Sequence, residues 1–276
     1  MLKQRILTAL VLIPLVLWAI ISLPDLYYAA ALAVIVILGA KEWSTMARLS
    51  GTTGIFYIIF FVAVLYGCWI GLQQYDYFSR IVLYTGCIWW LYAFIALKQF
   101  NKGQVHIMWN PLLRSLLGLL VLLPTFVALL VLRTHPEFGA HFVIYLLVLI
   151  WIADSAAYFS GRRWGKNKLL PNVSPGKTWQ GVYGALIACL SFSIAYGYFG
   201  NAISSAQIGI FVFISLVTVI FSIHGDLVES LFKRQVSLKD SGHLLPGHGG
   251  MLDRIDSLTA ASPIFVTGLL IMAGNP

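Results

Sequence analysis

The 276-residue chain is 59% hydrophobic and only 10% charged, with a formal net charge of +8 and a mean hydropathy of +0.86. Soluble domains carry about 25% charged residues, so a fold surrounded by water could not hide this much apolar surface, and lipid is the expected solvent. The basic excess then reads as a topology signal, and no nucleic-acid partner is expected.

A helix crossing the hydrocarbon core needs roughly 20 mostly apolar residues. In chain order the candidates are 6–22, 26–40, 54–72, 81–97, 115–132, 140–160, 179–200, 207–225 and 257–273. The predicted fold is therefore an all-α polytopic bundle of about nine transmembrane helices. The second span is the shortest. The first is preceded by Lys3 and Arg5 as in a secretory leader, but its apolar run is long and no small-residue cleavage site follows, so a retained span is expected. An interfacial segment with Trp109 near the headgroups is expected before the fifth span. The chain divides into an N-terminal region, 1–139, of about five spans and a C-terminal region, 140–276, with cytosolic loops at 161–178 and 226–256.

Lys and Arg placement provides an independent check. With the N-terminus in the cytosol and nine spans threaded, sixteen of the 18 Lys and Arg residues fall on the cytosolic side, leaving Arg80 and Arg133 opposite. That is a strong positive-inside bias, and one span too many or too few would scramble it. Cys68, Cys87 and Cys189 all lie in apolar spans without metal-ligand spacing, as small buried residues do.

Polar residues collect in the C-terminal half. Asp154 sits within or at the end of an apolar span, where a carboxylate is costly and a functional candidate; the bland alternative is an acid at the helix end paired with Arg162 or Arg163. The 161–178 loop has five basic residues and no acid. "GKT" at 176–178 suggests a P-loop, but that motif needs glycine at 171, where Pro171 stands, and no strand is expected ahead of it. What remains is Lys166, Ser174, Lys177 and Thr178 leading into a helix, a source of ammonium groups and free amides for phosphate. The alternative is a basic loop on anionic headgroups.

In "HGDLVESLFKR" (224–234), helical spacing puts Asp226, Glu229, Ser230 and Lys233 on one face. For Glu229 and Lys233 the simple reading is an ion pair on a solvated face. In "GHGGMLDRID" (247–256), Asp253 and Asp256 share one side of a helical turn and Arg254 points elsewhere. Two close carboxylates repel unless a positive group lies between them, and a hard divalent cation suits oxygen ligands. Gly247, Gly249 and Gly250 permit close backbone approach. Acids, lysines and a membrane-surface location point to phosphoryl or nucleotidyl transfer onto a lipid, chemistry that needs positioning and countercharge.

The run from Ser230 to Asp256, "SLFKRQVSLKDSGHLLPGHGGMLDRID", resembles the signature of the phosphatidate cytidylyltransferase (CDP-diacylglycerol synthase) family at every fixed position, and "WIADSAAYFSGRRWGK" and "SPGKTWQG" resemble its upstream region. The first half resembles it only as a set of apolar spans. The resemblance implies a nucleotidyltransferase that joins CTP and phosphatidic acid to give CDP-diacylglycerol and pyrophosphate. It also implies Mg2+, with K+ a candidate second cation, membrane lipids around the chain, and a bacterial inner membrane with the site facing the cytoplasm. Asp226, Asp253 and Asp256 are then the metal candidates. Ser230, Lys233, Lys239 and Arg254 join them as catalytic candidates. Asp154, Lys166, Ser174, Lys177, Thr178, Arg234, His248, Gly249 and Gly250 are the substrate-binding candidates. A homodimer is compatible with the glycine-containing spans, though no interface is readable.

Two rivals make other predictions. A CDP-alcohol phosphotransferase needs a D-G-x-x-A-R core, and this chain has no Asp-Gly pair. A transporter with a charged cytosolic gate would place polar groups near the bilayer midplane, whereas here they cluster at span ends.

Overall fold

The computed structural model describes residues 2–101, 110–200, 203–244, 247 and 249–274. Among these residues, nine α-helices follow one another: α1 (Leu2–Ser22), α2 (Asp25–Met46), α3 (Gly51–Gln74), α4 (Phe78–Asn101), α5 (Pro111–Thr134), α6 (Ala140–Trp164), α7 (Trp179–Phe199), α8 (Ile208–Gln235) and α9 (Leu252–Met272). Eight are long and apolar enough to cross a membrane, and α1 adds a shorter apolar stretch, Thr8–Ser22. The chain is an integral membrane protein of the all-α polytopic class. The expected interfacial segment around Trp109 lies outside the described residues, as does His248.

Two boundaries differ from expectation in an informative way. The second span is not short: α2 continues through Lys41 and Glu42 to Met46. Likewise α8 runs unbroken past Gly225 to Gln235, so the whole "HGDLVESLFKR" segment is helical. In both cases, hydropathy marks where the apolar run ends, while the helix extends a further turn or more into polar sequence.

The expectation of no strand before "GKT" is corrected. Lys168–Leu170 (β1) and Ser174–Thr178 (β2) pair antiparallel, Lys168 opposite Thr178 and Leu170 opposite Ser174. The turn is closed by Val173 N–H on the Leu170 carbonyl (3.1 Å), and Trp179 N–H reaches the Asn167 carbonyl (2.9 Å). Strands of three and five residues are too short to show a period-two pattern. Thr178 then caps α7, its hydroxyl oxygen accepting from Gly181 N–H at 3.2 Å.

At the centre, α5 and α9 are the most enclosed of the spans. Gly86 of α4 faces Pro124 of α5 and Pro263 of α9, and a Cβ there would lie 2.6 Å from that of Pro124; small residues at such crossings let membrane helices approach. Pro263 cannot donate to the carbonyl four residues earlier, on Thr259. Thr125 Oγ1 of α5, which donates to the Val121 carbonyl at 2.8 Å, lies 3.3 Å from that carbonyl and shares its single hydrogen with it, a polar contact that lipid could not offer.

The helix ends sort by position. At one end of the bundle, Arg133 reaches the Ile20 carbonyl (2.7 Å) and Asp25 (3.5 Å). At the other, Arg48 and Arg114 both bind Gln235, through its carbonyl at 3.1 Å and its side chain at 3.1 Å. That second end also carries the hairpin and the starts of α7 and α9.

Candidate active site

The site is assembled where α8 leaves the bundle and α9 enters it. The helical face expected on α8 is present: Ser230 Oγ donates to Asp226 Oδ1 at 3.2 Å, and Lys233 meets Glu229 at 3.0 Å. The Glu229–Lys233 pair is not a solvated surface pair, however. The Glu229 side chain is 4% exposed and that of Lys233 is 10% exposed. Lys233 also donates to Asp253 Oδ1 at 2.6 Å, bridging α8 to the first turn of α9.

Asp253 is held tightly. Its Oδ2 accepts from the backbone N–H groups of Ser241 (2.9 Å) and Gly250 (2.8 Å). Both oxygens are thus engaged before any ligand arrives. Asp226 is different: Oδ1 takes the Ser230 hydroxyl and Oδ2 takes Lys177 of β2 at 2.6 Å, with both side chains partly exposed. The hairpin that sequence reasoning missed is what carries Lys177 to this position; Arg234 Nε on the Val173 carbonyl (3.5 Å) fastens it to α8.

Asp154 has no ion pair among the described residues, and Arg162 turns to the Tyr158 hydroxyl instead (3.0 Å). The pairing with Arg162 or Arg163 weighed above is therefore absent. Instead Asp154 lies within electrostatic reach of Asp226, Lys177 and Arg254, and Asp256 within reach of Asp226, Glu229 and Lys177. Asp154 is exposed and Asp256 is partly exposed. Five carboxylates, Asp154, Asp226, Glu229, Asp253 and Asp256, thus outnumber the basic groups among them, Lys177, Lys233 and Arg254. Carboxyl oxygens gathered in this number are suited to a hard cation.

The remaining expected residues fall around this centre. Lys166, Arg234, Lys239 and Arg254 are exposed, and Ser174, Gly249 and the buried Thr178 and Gly250 belong to the hairpin and the loop before α9. Gly225 has a specific task. A Cβ there would lie 2.6 Å from the Asp256 carbonyl oxygen and 3.0 Å from the Ala260 Cβ, so glycine lets α8 touch α9 beside both acids. Gly225→Ala is expected to push the helices apart at Asp226 and Asp256, costing about 1–3 kcal/mol of stability and lowering turnover more than the stability loss explains. Thermal unfolding and turnover measured on one preparation check this.

Sequence reasoning missed two residues. Glu42, at the end of α2, accepts from Met251 N–H, Leu252 N–H and the Ser241 hydroxyl, each at 2.8 Å. The available signal was an acid at the end of an apolar span in a chain with only ten acids. His224, buried in α8, stacks on Phe94 at 3.8 Å with its Nε2 unpartnered.

Lysines set among carboxylates at one end of a membrane bundle suit the binding of phosphates together with a cation; the class of enzyme, a nucleotidyltransferase, follows from the relatives. A sequence model described as the Cytidylyltransferase family matches residues 3–272, and the chain belongs to that family. It is 41% identical to the phosphatidate cytidylyltransferase of Haemophilus influenzae, over 96% of this chain and 97% of that one. It is 42% identical to the phosphatidate cytidylyltransferase of Pseudomonas aeruginosa, over 99% and 98%. The protein of the same name from Staphylococcus haemolyticus is 42% identical over 46% of this chain and 48% of its own length.

Proposed function

We propose that the protein transfers the CMP moiety of CTP to phosphatidic acid, giving CDP-diacylglycerol and pyrophosphate, an early step in making phospholipids. The observation that carries this reading is the pair of ion pairs, Lys177–Asp226 and Lys233–Asp253, at the end of α8 and the start of α9, within a chain whose near full-length relatives bear that name. The lipid phosphate is a monoester with a second pKa of about 6, by analogy with phosphoserine. It is already largely anionic near neutral pH and needs no strong base. One of its oxygens attacks the α-phosphorus of CTP in line, a new P–O bond forms, and the α–β P–O bond breaks as pyrophosphate leaves. Lys177, Lys233 and Arg254 supply countercharge to the two polyanions, and Lys166, Arg234 and Lys239 line the approach.

The donor set fits Mg2+. Among the described residues no group of three or more His, Cys, Asp or Glu is gathered closely enough to hold a metal alone, but Mg2+ is usually held by one or two carboxylates together with substrate phosphates. Asp226 and Asp256 would hold it; Asp253, the third metal candidate, would join them only if Oδ1 gave up Lys233. Bound there, the ion would neutralise charge on the phosphates. A cytoplasmic-facing site in a bacterial inner membrane is part of this reading; the basic residues gathered at this end and the bacterial origin of the relatives support it.

Nucleotide choice tests the reading. Purified protein in phosphatidic acid-containing nanodiscs should release pyrophosphate with CTP and Mg2+, and excess ATP or GTP should not compete. Equal turnover with ATP would reject a cytidylyltransferase.

A further inference from the structure

The first turn of α9 has no side-chain cap of its own; its N-cap residue is Met251. Its leading amides are served from α2, on the other half of the chain. Glu42 Oε1 accepts from Met251 N–H and Oε2 from Leu252 N–H, each at 2.8 Å. Oε2 also takes the Ser241 hydroxyl at 2.8 Å. Ser241 passes the constraint on: its N–H donates to Asp253 Oδ2 at 2.9 Å, and its Oγ accepts from Asp253 N–H at 3.3 Å. Asp253 in turn meets Lys233. One carboxylate therefore ties together the segment before α9, the start of α9 and the Lys233–Asp253 bridge.

The surrounding glycines fit this role. A Cβ on Gly242 would lie 2.6 Å from Glu42 Oε1, and one on Gly250 would collide with Glu42 Oε2 and Ser241 Oγ. At Gly250 the absent side chain leaves the space that the Glu42 carboxylate fills. A carboxylate at a helix N-terminus is also favoured by the helix dipole.

We propose that Glu42 is a positioning residue for the reaction: it fixes the loop and first turn of α9 so that Asp253 collects its two amides and aims at Lys233. The proposal rests on the functional reading above. Glu42→Gln is the direct test. It keeps the shape but replaces one acceptor oxygen with an NH2 group that must face an N–H or a hydroxyl hydrogen. The expected result is a fall in kcat of about 10- to 100-fold, with KM for CTP within about threefold of wild type and Tm within about 3 °C. Glu42→Asp, which keeps both oxygens, should recover part of that loss. In an Asp253→Asn background, Glu42→Gln should add little, because the two act in series.

Wild-type kcat in Glu42→Gln, or losses that multiply in the double variant, would overturn the proposal. A loss matched by a fall in Tm would reduce Glu42 to a structural cap and overturn it equally. Amide hydrogen exchange gives an answer independent of turnover: Met251 and Leu252 should lose protection in Glu42→Gln, and unchanged protection counts against positioning. A wild-type protein inactive with CTP and phosphatidic acid would reject the functional reading instead, while the exchange result still decides the positioning.

Discussion

Asp226→Asn is expected to cut CTP-dependent lipid product formation by at least about 100-fold while the protein stays folded. Asp226 is the acid whose two oxygens face side-chain partners alone, the Ser230 hydroxyl and the Lys177 ammonium, with partial exposure on both sides of the ion pair. Two further acids, Asp154 and Asp256, lie within electrostatic reach of it. Removing its charge therefore does not leave a deeply buried cation stranded, and little stability is at stake. What is lost is an anionic oxygen where countercharge and phosphate must meet. A second variant separates this role from simple lysine holding. If Asp226 did no more than pair with Lys177, Asp226→Asn combined with Lys177→Met would regain activity over Asp226→Asn alone. The expected result is a further loss, read as kcat on protein whose unfolding temperature is unchanged.

Lys233→Met should act the other way, on stability first. Lys233 is the only cation within ion-pair distance of Glu229 and Asp253 among the described residues, and all three side chains are at most 10% exposed. Removing one partner of a buried pair typically costs about 3–5 kcal/mol, because the remaining charge is left uncompensated. Here two carboxylates are left, against a total stability of about 5–15 kcal/mol for an ordinary domain. Lys233→Met should therefore lower the unfolding temperature sharply, to the point of poor recovery from the membrane. Neutralising the cluster as a unit, with Glu229→Gln and Asp253→Asn added, should restore much of that stability without restoring turnover. Recovery of turnover in the triple variant would show Lys233 to be a structural residue alone.

The fold was legible because lipid imposes a length and a hydropathy on every span, and because misplacing one span would have disturbed the distribution of Lys and Arg. The α8 face was legible because Asp226, Glu229, Ser230 and Lys233 follow helical spacing within one segment. The contacts that complete the site join residues far apart in sequence, and periodicity carries no information about such pairs. Lys177 meets Asp226 from a hairpin whose strands are too short to show a pattern. Lys233 chooses Asp253 on another helix as well as its neighbour Glu229. Glu42 reaches Met251 across more than 200 positions, from the half of the chain that reads as plain spans. Burial was misjudged for Glu229 for a related reason: the expected solvated face is covered by α9, which a single helical wheel does not include.

The most direct measurement follows the label from CTP. With purified protein in phosphatidic acid nanodiscs, [α-32P]CTP should place its label in a lipid that contains cytidine, and [γ-32P]CTP should place its label in pyrophosphate, in equal amounts and only when the lipid is present. Label from the γ position appearing in lipid, or pyrophosphate released without phosphatidic acid, would contradict cytidylyl transfer at this site.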